Sequence, residues 1–97
     1  MSETVHRVCI IDGRVQGVGY RAHVVRLASR FPVAGTVANL EDGTVRVEAQ
    51  GPREEVEAFL AEVLVSAWPI HPRRVRRTEE LPTDPHLLGF EVVRGPG

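Results

Sequence analysis

Val33-Ala34-Gly35-Thr36-Val37-Ala38-Asn39-Leu40-Glu41-Asp42-Gly43-Thr44-Val45-Arg46-Val47-Glu48-Ala49-Gln50 decides the fold. From Val33 to Asn39 apolar and small residues alternate as a strand does, with Val33, Gly35, Val37 and Asn39 on one side. Glu41-Asp42-Gly43 is a tight turn, with Gly43 suited to a positive φ. Thr44 to Gln50 then returns, with Val45, Val47 and Ala49 on one face and Arg46, Glu48 and Gln50 on the other. The unit predicts an antiparallel hairpin at the centre of the chain.

Outward toward the N-terminus, Tyr20 to Phe31 has helical spacing. Tyr20, Val24, Leu27, Ala28 and Phe31 share a face, and Pro32 stops the run. Before it stands Val5 to Ile11, dense in β-branched residues and closed by Asp12-Gly13, which predicts a central strand. Outward toward the C-terminus, Gly51-Pro52 opens a second helix with Glu54, Glu55 and Glu57 in its first turns. Its stripe is Val56, Phe59, Leu60, Val63 and Leu64. Trp68 to Pro72 reads as a loop, Arg73 to Thr78 as a polar edge strand, Leu81 to Leu88 as a loop, and Gly89 to Arg94 as a last short strand. The order is strand, helix, strand, strand, helix, strand, plus one further strand. With right-handed crossovers this predicts an α+β, ferredoxin-like split βαβ sandwich. Two helices cover one face of a mostly antiparallel sheet of four to five strands.

The chain has 97 residues, 42% hydrophobic and 26% charged, which is one domain over 1–97 with an ordered core of about 5–94. Folding at this size buries roughly 65% of the unfolded chain's surface. One cysteine excludes a disulfide within the chain and a cysteine-built zinc site. No run approaches the roughly 18 apolar residues of a membrane span, and the N-terminal stretch lacks a secretory h-region. A cytoplasmic protein is expected. The net charge of −1 offers no global field for nucleic acid or anionic lipid. All 12 cationic residues are arginine, which removes lysine Schiff-base and Walker-loop chemistry.

The segment Gly13-Arg14-Val15-Gln16-Gly17-Val18-Gly19-Tyr20-Arg21 carries the functional signal. A glycine-rich turn leaves a strand and enters a helix N-terminus. Amides of Gln16 to Tyr20 can converge there, unpaired first-turn N–H groups carry partial positive charge, and Arg21 offers a planar two-pronged donor. This is an oxyanion or phosphate cradle, or else a tight turn with glycines for packing and Arg21 in solvent. Asn39 ends its strand just before the hairpin, where it either closes the turn with its side chain or faces the loop; strand order decides.

Ile11 to Arg21 resembles the first signature of the acylphosphatases, small enzymes that hydrolyse the carboxyl–phosphate bond of acyl phosphates. Gly35-Thr36-Val37-Ala38-Asn39, with Gly43, Val45 and Gly51, resembles the second. The likeness runs from about Val5 to Arg94 and implies the fold reached above. It implies that Arg21 binds the substrate phosphate with the amides of Val15, Gln16, Gly17, Val18, Gly19 and Tyr20, and that Asn39 positions the attacking water. It implies a metal-independent enzyme with no cofactor and a small-molecule acyl phosphate as substrate; small size and a polar edge strand point to a monomer. Two residues depart from the family pattern: Tyr20 replaces a common Phe, and Thr36 stands at a usually aromatic position.

Other residues are read structurally. Cys9, among apolar neighbours, is a buried thiol; His6, His23, His71 and His86 lack metal-ligand spacing and are read as surface residues, with His23 a possible neighbour of the site. Arg73 to Arg77 is read as a solvated edge rather than a nucleic-acid contact. The strands Val5–Ile11 and Thr44–Gln50 also lack the aromatics of an RNA-binding sheet. The competing function is an anion-binding module with little turnover. The acylphosphatase-like part of a hydrogenase-maturation carbamoyltransferase is disfavoured by the chain's length and single cysteine.

Overall fold

A computed structural model describes residues 3–13, 19–65 and 73–94. The elements are β1 (Thr4–Gly13), α1 (Tyr20–Ala28), β2 (Ala34–Asn39), β3 (Val45–Pro52), α2 (Arg53–Val65), β4 (Arg73–Leu81) and β5 (Phe90–Val92). They build one five-stranded sheet in the order β4-β1-β3-β2-β5. β5 runs parallel to β2, and every other neighbouring pair is antiparallel. The two helices pack on one face, the expected α+β arrangement.

Period explains the layering. Val5, Cys9 and Ile11 of β1, Val37 of β2, and Val45, Val47 and Ala49 of β3 form the helix-facing side. Tyr20, Val24, Leu27 and Ala28 of α1 and Val56, Phe59, Leu60 and Val63 of α2 come down upon them at helical spacing. Phe59 is fully buried and meets the rings of Phe31 and Phe90 edge-on, with centroids 5.7 and 5.3 Å away. Burying each such large apolar side chain contributes about 1.5–3 kcal/mol. Gly35 allows Phe90 to lie there: a β-carbon would sit 1.8 Å from the Glu48 carbonyl oxygen and 2.8 Å from the Phe90 ring.

Several element ends differ from expectation. α1 stops at Ala28, and Arg30 and Phe31 donate to Leu27 and Ala28 in tighter i to i+3 turns ahead of Pro32. Pro52 closes β3 instead of starting the second helix, and the Arg53 amide donates to the Glu3 carbonyl. β4 extends past Thr78 to Leu81, where it pairs with His6. His6, read as a surface residue, is buried at 4% exposure. It lies on the sheet face away from the helices, where the stretch after β4 turns back across the sheet. Its Nδ1 lies 2.8 Å from the Pro82 carbonyl, and the Gln50 side chain exchanges two hydrogen bonds with the Asp84 backbone at 2.7 and 2.8 Å.

Candidate active site

Strand order settles where Asn39 points. Val45 of β3 is opposite Ile11 of β1 on one side and Asn39 of β2 on the other. β1 and β2 are therefore parallel with β3 between them, and their C-terminal ends share one edge of the sheet. That edge lies about 10 Å across two strand spacings. Asn39 also shares the side of Val37 and Val45, facing the helix layer. Its Oδ1 is buried and has no hydrogen-bond partner among the described residues. A buried carbonyl oxygen without a partner costs about 1–3 kcal/mol, so an unpaired one marks a place for something else.

Asn39 does not close the hairpin; Asp42 does. Its Oδ1 accepts the Thr44 amide at 3.0 Å and the Thr44 hydroxyl at 2.6 Å. These two bonds, the hydroxyl's first, hold the Asp42 carboxyl below its ordinary value.

The cradle's expected amides of Val15, Gln16, Gly17 and Val18 lie outside the described residues. From Gly19 onward the geometry suits an anion. Gly19 caps α1 in the left-handed region at φ 77°, ψ 15°, and its carbonyl accepts the His23 amide at 3.1 Å. A side chain there would be strained. The first turn of α1 holds no acid, so no carboxylate competes for its N–H groups. Tyr20 is buried at 1% exposure, and its hydroxyl donates to the Val63 carbonyl at 2.9 Å. This pins the first turn of α1 to the last turn of α2, and it supplies the partner that the extra hydroxyl of Tyr20 requires. Arg21, half-buried on the following position, makes no hydrogen bond or ion pair among the described residues. His23 lies one turn on, its ring centroid 6.3 Å from that of Tyr20.

Three residues escaped the sequence reading as a group. His6 Nε2 lies 2.7 Å from Glu48 Oε2, and Thr36 Oγ1 donates to Glu48 Oε1 at 2.8 Å. Thr36 is thus the first link of a polar chain on the open face. Burial pushes the Glu48 carboxyl up; the bonds from Thr36 and His6 and the nearby Arg46 charge outweigh it and hold it below its ordinary value. Cys9 is buried as expected. Burial pushes its thiol up, against a weaker contact with Thr78 at 3.8 Å. Among the described residues no three His, Cys, Asp or Glu side chains are grouped to hold a metal ion.

Comparison with known proteins fixes the family. The acylphosphatase family model matches residues 7–92. The chain belongs to the acylphosphatase family. It is 42% identical over 84 residues to an acylphosphatase of Oceanobacillus iheyensis, covering 84% of this chain and 90% of that one. It is 53% identical over 51 residues to one from Clostridium acetobutylicum, covering 53% and 56% of the two chains. That second match spans little more than half of the relative's length. The crystal structure of acylphosphatase from Bacillus subtilis superposes with a TM-score of 0.77 at 32% identity, over 94% of this chain and 99% of that one.

Proposed function

We propose that this chain hydrolyses acyl phosphates to a carboxylate and inorganic phosphate, with Arg21 and Asn39 as its catalytic residues. The observation that carries the assignment is the buried, unpartnered Oδ1 of Asn39, set at the same sheet edge as the N-terminus of α1. Arg21 and the amides of Val15, Gln16, Gly17, Val18, Gly19 and Tyr20 hold the phosphoryl oxygens. Asn39 accepts a hydrogen bond from the attacking water and sets it in line with the leaving group. The water oxygen forms the new bond to phosphorus, and the bond from phosphorus to the acyl oxygen breaks. Its electron pair leaves with the carboxylate, and the proton released by the water ends on the phosphate.

A carboxylate is a good leaving group, so no strong general acid is required. Catalysis reduces to positioning and to stabilising charge on the phosphoryl oxygens. Arginine fits this role because its fork donates two parallel bonds to one phosphate. The reaction needs no cofactor in this reading. The chain acts as a single cytoplasmic domain over 1–97, and as a monomer. No helix among the described residues is long and apolar enough to cross a membrane.

Benzoyl phosphate hydrolysis in EDTA, wild type beside Asn39→Ala, tests the proposal. Turnover should survive the chelator and fall by about 10²–10³-fold in the variant. A folded protein that binds phosphate but shows no turnover above background would replace the enzyme with an anion-binding module.

A further inference from the structure

The run Arg73 to Arg77 has no part in the site above, yet the sheet brings Arg76 and Arg77 together on the opposite face. In the pairing of β1 with β4, Ile10 is opposite Arg77 while Ile11 is opposite Val75. Arg76 is therefore the extra residue of a β-bulge, a device that re-aims a side chain. Here it brings Arg76 beside Arg77 instead of leaving them on alternate faces. Together with Ile10, Leu40 and Asp42 they line a cleft of about 300 Å³. On the other side of Ile10, the β3 residue paired with it is Arg46. Arginines thus stand at the paired positions on both sides of Ile10, which is only 5% exposed, with Arg76 and Arg77 lining the cleft itself. This cleft opens on the face away from the helices, whereas Asn39 faces toward them.

The nearby acids do not consume these donors. Arg76 lies 3.9 Å from Asp42, Arg46 lies 3.7 Å from Glu48, and Arg77 lies 3.6 Å from Glu79. All three distances exceed hydrogen-bond range. Oδ1 of Asp42 is already committed to Thr44, and Glu48 to His6 and Thr36, by bonds of 2.6–3.0 Å. No guanidinium of the three donates a hydrogen bond among the described residues. Planar donor forks left with long ion pairs, grouped around a cleft of this size, suit an anion with more than one charged group.

We propose that the cleft lined by Ile10, Leu40, Asp42, Arg76 and Arg77 is a second anion site, which takes an organic diphosphate. The two phosphates engage the guanidiniums of Arg76 and Arg77, with Arg46 adding positive charge from the strand position beside Ile10. The organic part occupies the remainder of the cleft against Leu40 and the arginine stems. The site is independent of acyl-phosphate hydrolysis and does not rest on that assignment.

The test is an amide NMR titration of the full chain with ADP and, separately, with inorganic pyrophosphate. ADP should shift the amides of Ile10, Leu40, Arg46, Arg76 and Arg77, and should bind at least tenfold more tightly than pyrophosphate. Arg76→Gln with Arg77→Gln should weaken those shifts at least tenfold. Both residues are more than half exposed, so the variant should keep the wild-type spectrum elsewhere and hydrolyse benzoyl phosphate within twofold of the wild-type rate. Shifts confined to Gly19–Arg21, or shifts at the cleft that survive the double variant, would overturn the site. Equal affinity for ADP and pyrophosphate would overturn the organic ligand class.

Discussion

Two polar clusters lie on opposite faces of this sheet, and they treat their hydrogen bonds in opposite ways. On the open face His6 uses both ring nitrogens, Glu48 both oxygens, and Gln50 both ends of its amide. At the C-terminal edge of β1 and β2, Asn39 leaves its buried oxygen unpaired and Arg21 has no partner among the described residues. A satisfied buried network fixes a structure, and an unsatisfied one costs stability and is kept for a ligand. Substitutions in the first cluster should therefore cost folding and spare turnover. Substitutions in the second should do the reverse.

The largest expected effect is at Arg21. Arg21→Lys keeps the charge but loses the fork, and kcat should fall by about 10²–10³-fold, equivalent to about 3–4 kcal/mol. Thermal melting should stay within a degree or two of wild type, because no described contact is removed. Asn39→Ala sharpens the contrast. Its loss of turnover should come with unchanged or slightly raised stability in urea, since the variant deletes an unpaired buried oxygen. A variant that lost activity only because it unfolded would dissolve the distinction between the two clusters.

His6→Phe is the mirror experiment. It leaves the Pro82 carbonyl and the Glu48 carboxylate without their partner on a face where His6 is 4% exposed. Urea unfolding should show a loss of about 3 kcal/mol. The folded fraction should hydrolyse benzoyl phosphate at the wild-type rate. Tyr20→Phe comes next in size and lies between the clusters, because it frees the Val63 carbonyl at the end of α2. About 1 kcal/mol should be lost in the same assay. KM should rise more than kcat falls, because the hydroxyl orients the first turn of α1 and does not touch the reacting atoms.

These differences track what a single sequence can express. Alternation in Thr44–Gln50 and the stripes at Val24, Leu27, Ala28 and at Val56, Phe59, Leu60, Val63 are local signals, and they placed the strands, helices and core correctly. The glycine-rich segment before Arg21 is also local. The orientation of Asn39 is not, for it depends on β3 lying between β1 and β2, and that order follows from pairing across the whole chain. The His6 network is less visible still. Its partners Glu48 and Pro82 lie 42 and 76 residues away in sequence, so a histidine in an apolar strand gives no hint of them. The helix boundary at Pro52 failed for a smaller reason. A proline suits the first turn of a helix and the last position of a strand alike, and here β3 pairs with Thr4 as far as Pro52.

The smallest effect has the most informative sign. Thr36 donates to Glu48 on the satisfied face. Thr36→Val removes one of the bonds that hold the Glu48 carboxyl below its ordinary value of 4.5, while the burial that pushes it up remains. The folded-state value should rise. A depressed carboxyl contributes stability that is fully present above its unfolded value and is lost as pH falls through the folded one. The variant should therefore be less stable than wild type at pH 7, by about 0.5 kcal/mol. That gap should narrow as both proteins are taken below about pH 4.5, where Glu48 becomes protonated in the unfolded chain and then in the folded one. Urea unfolding at pH 7, 5 and 3 measures it. A gap that stays constant with pH would mean that Thr36 acts through packing alone, and it would detach this residue from the charge on Glu48.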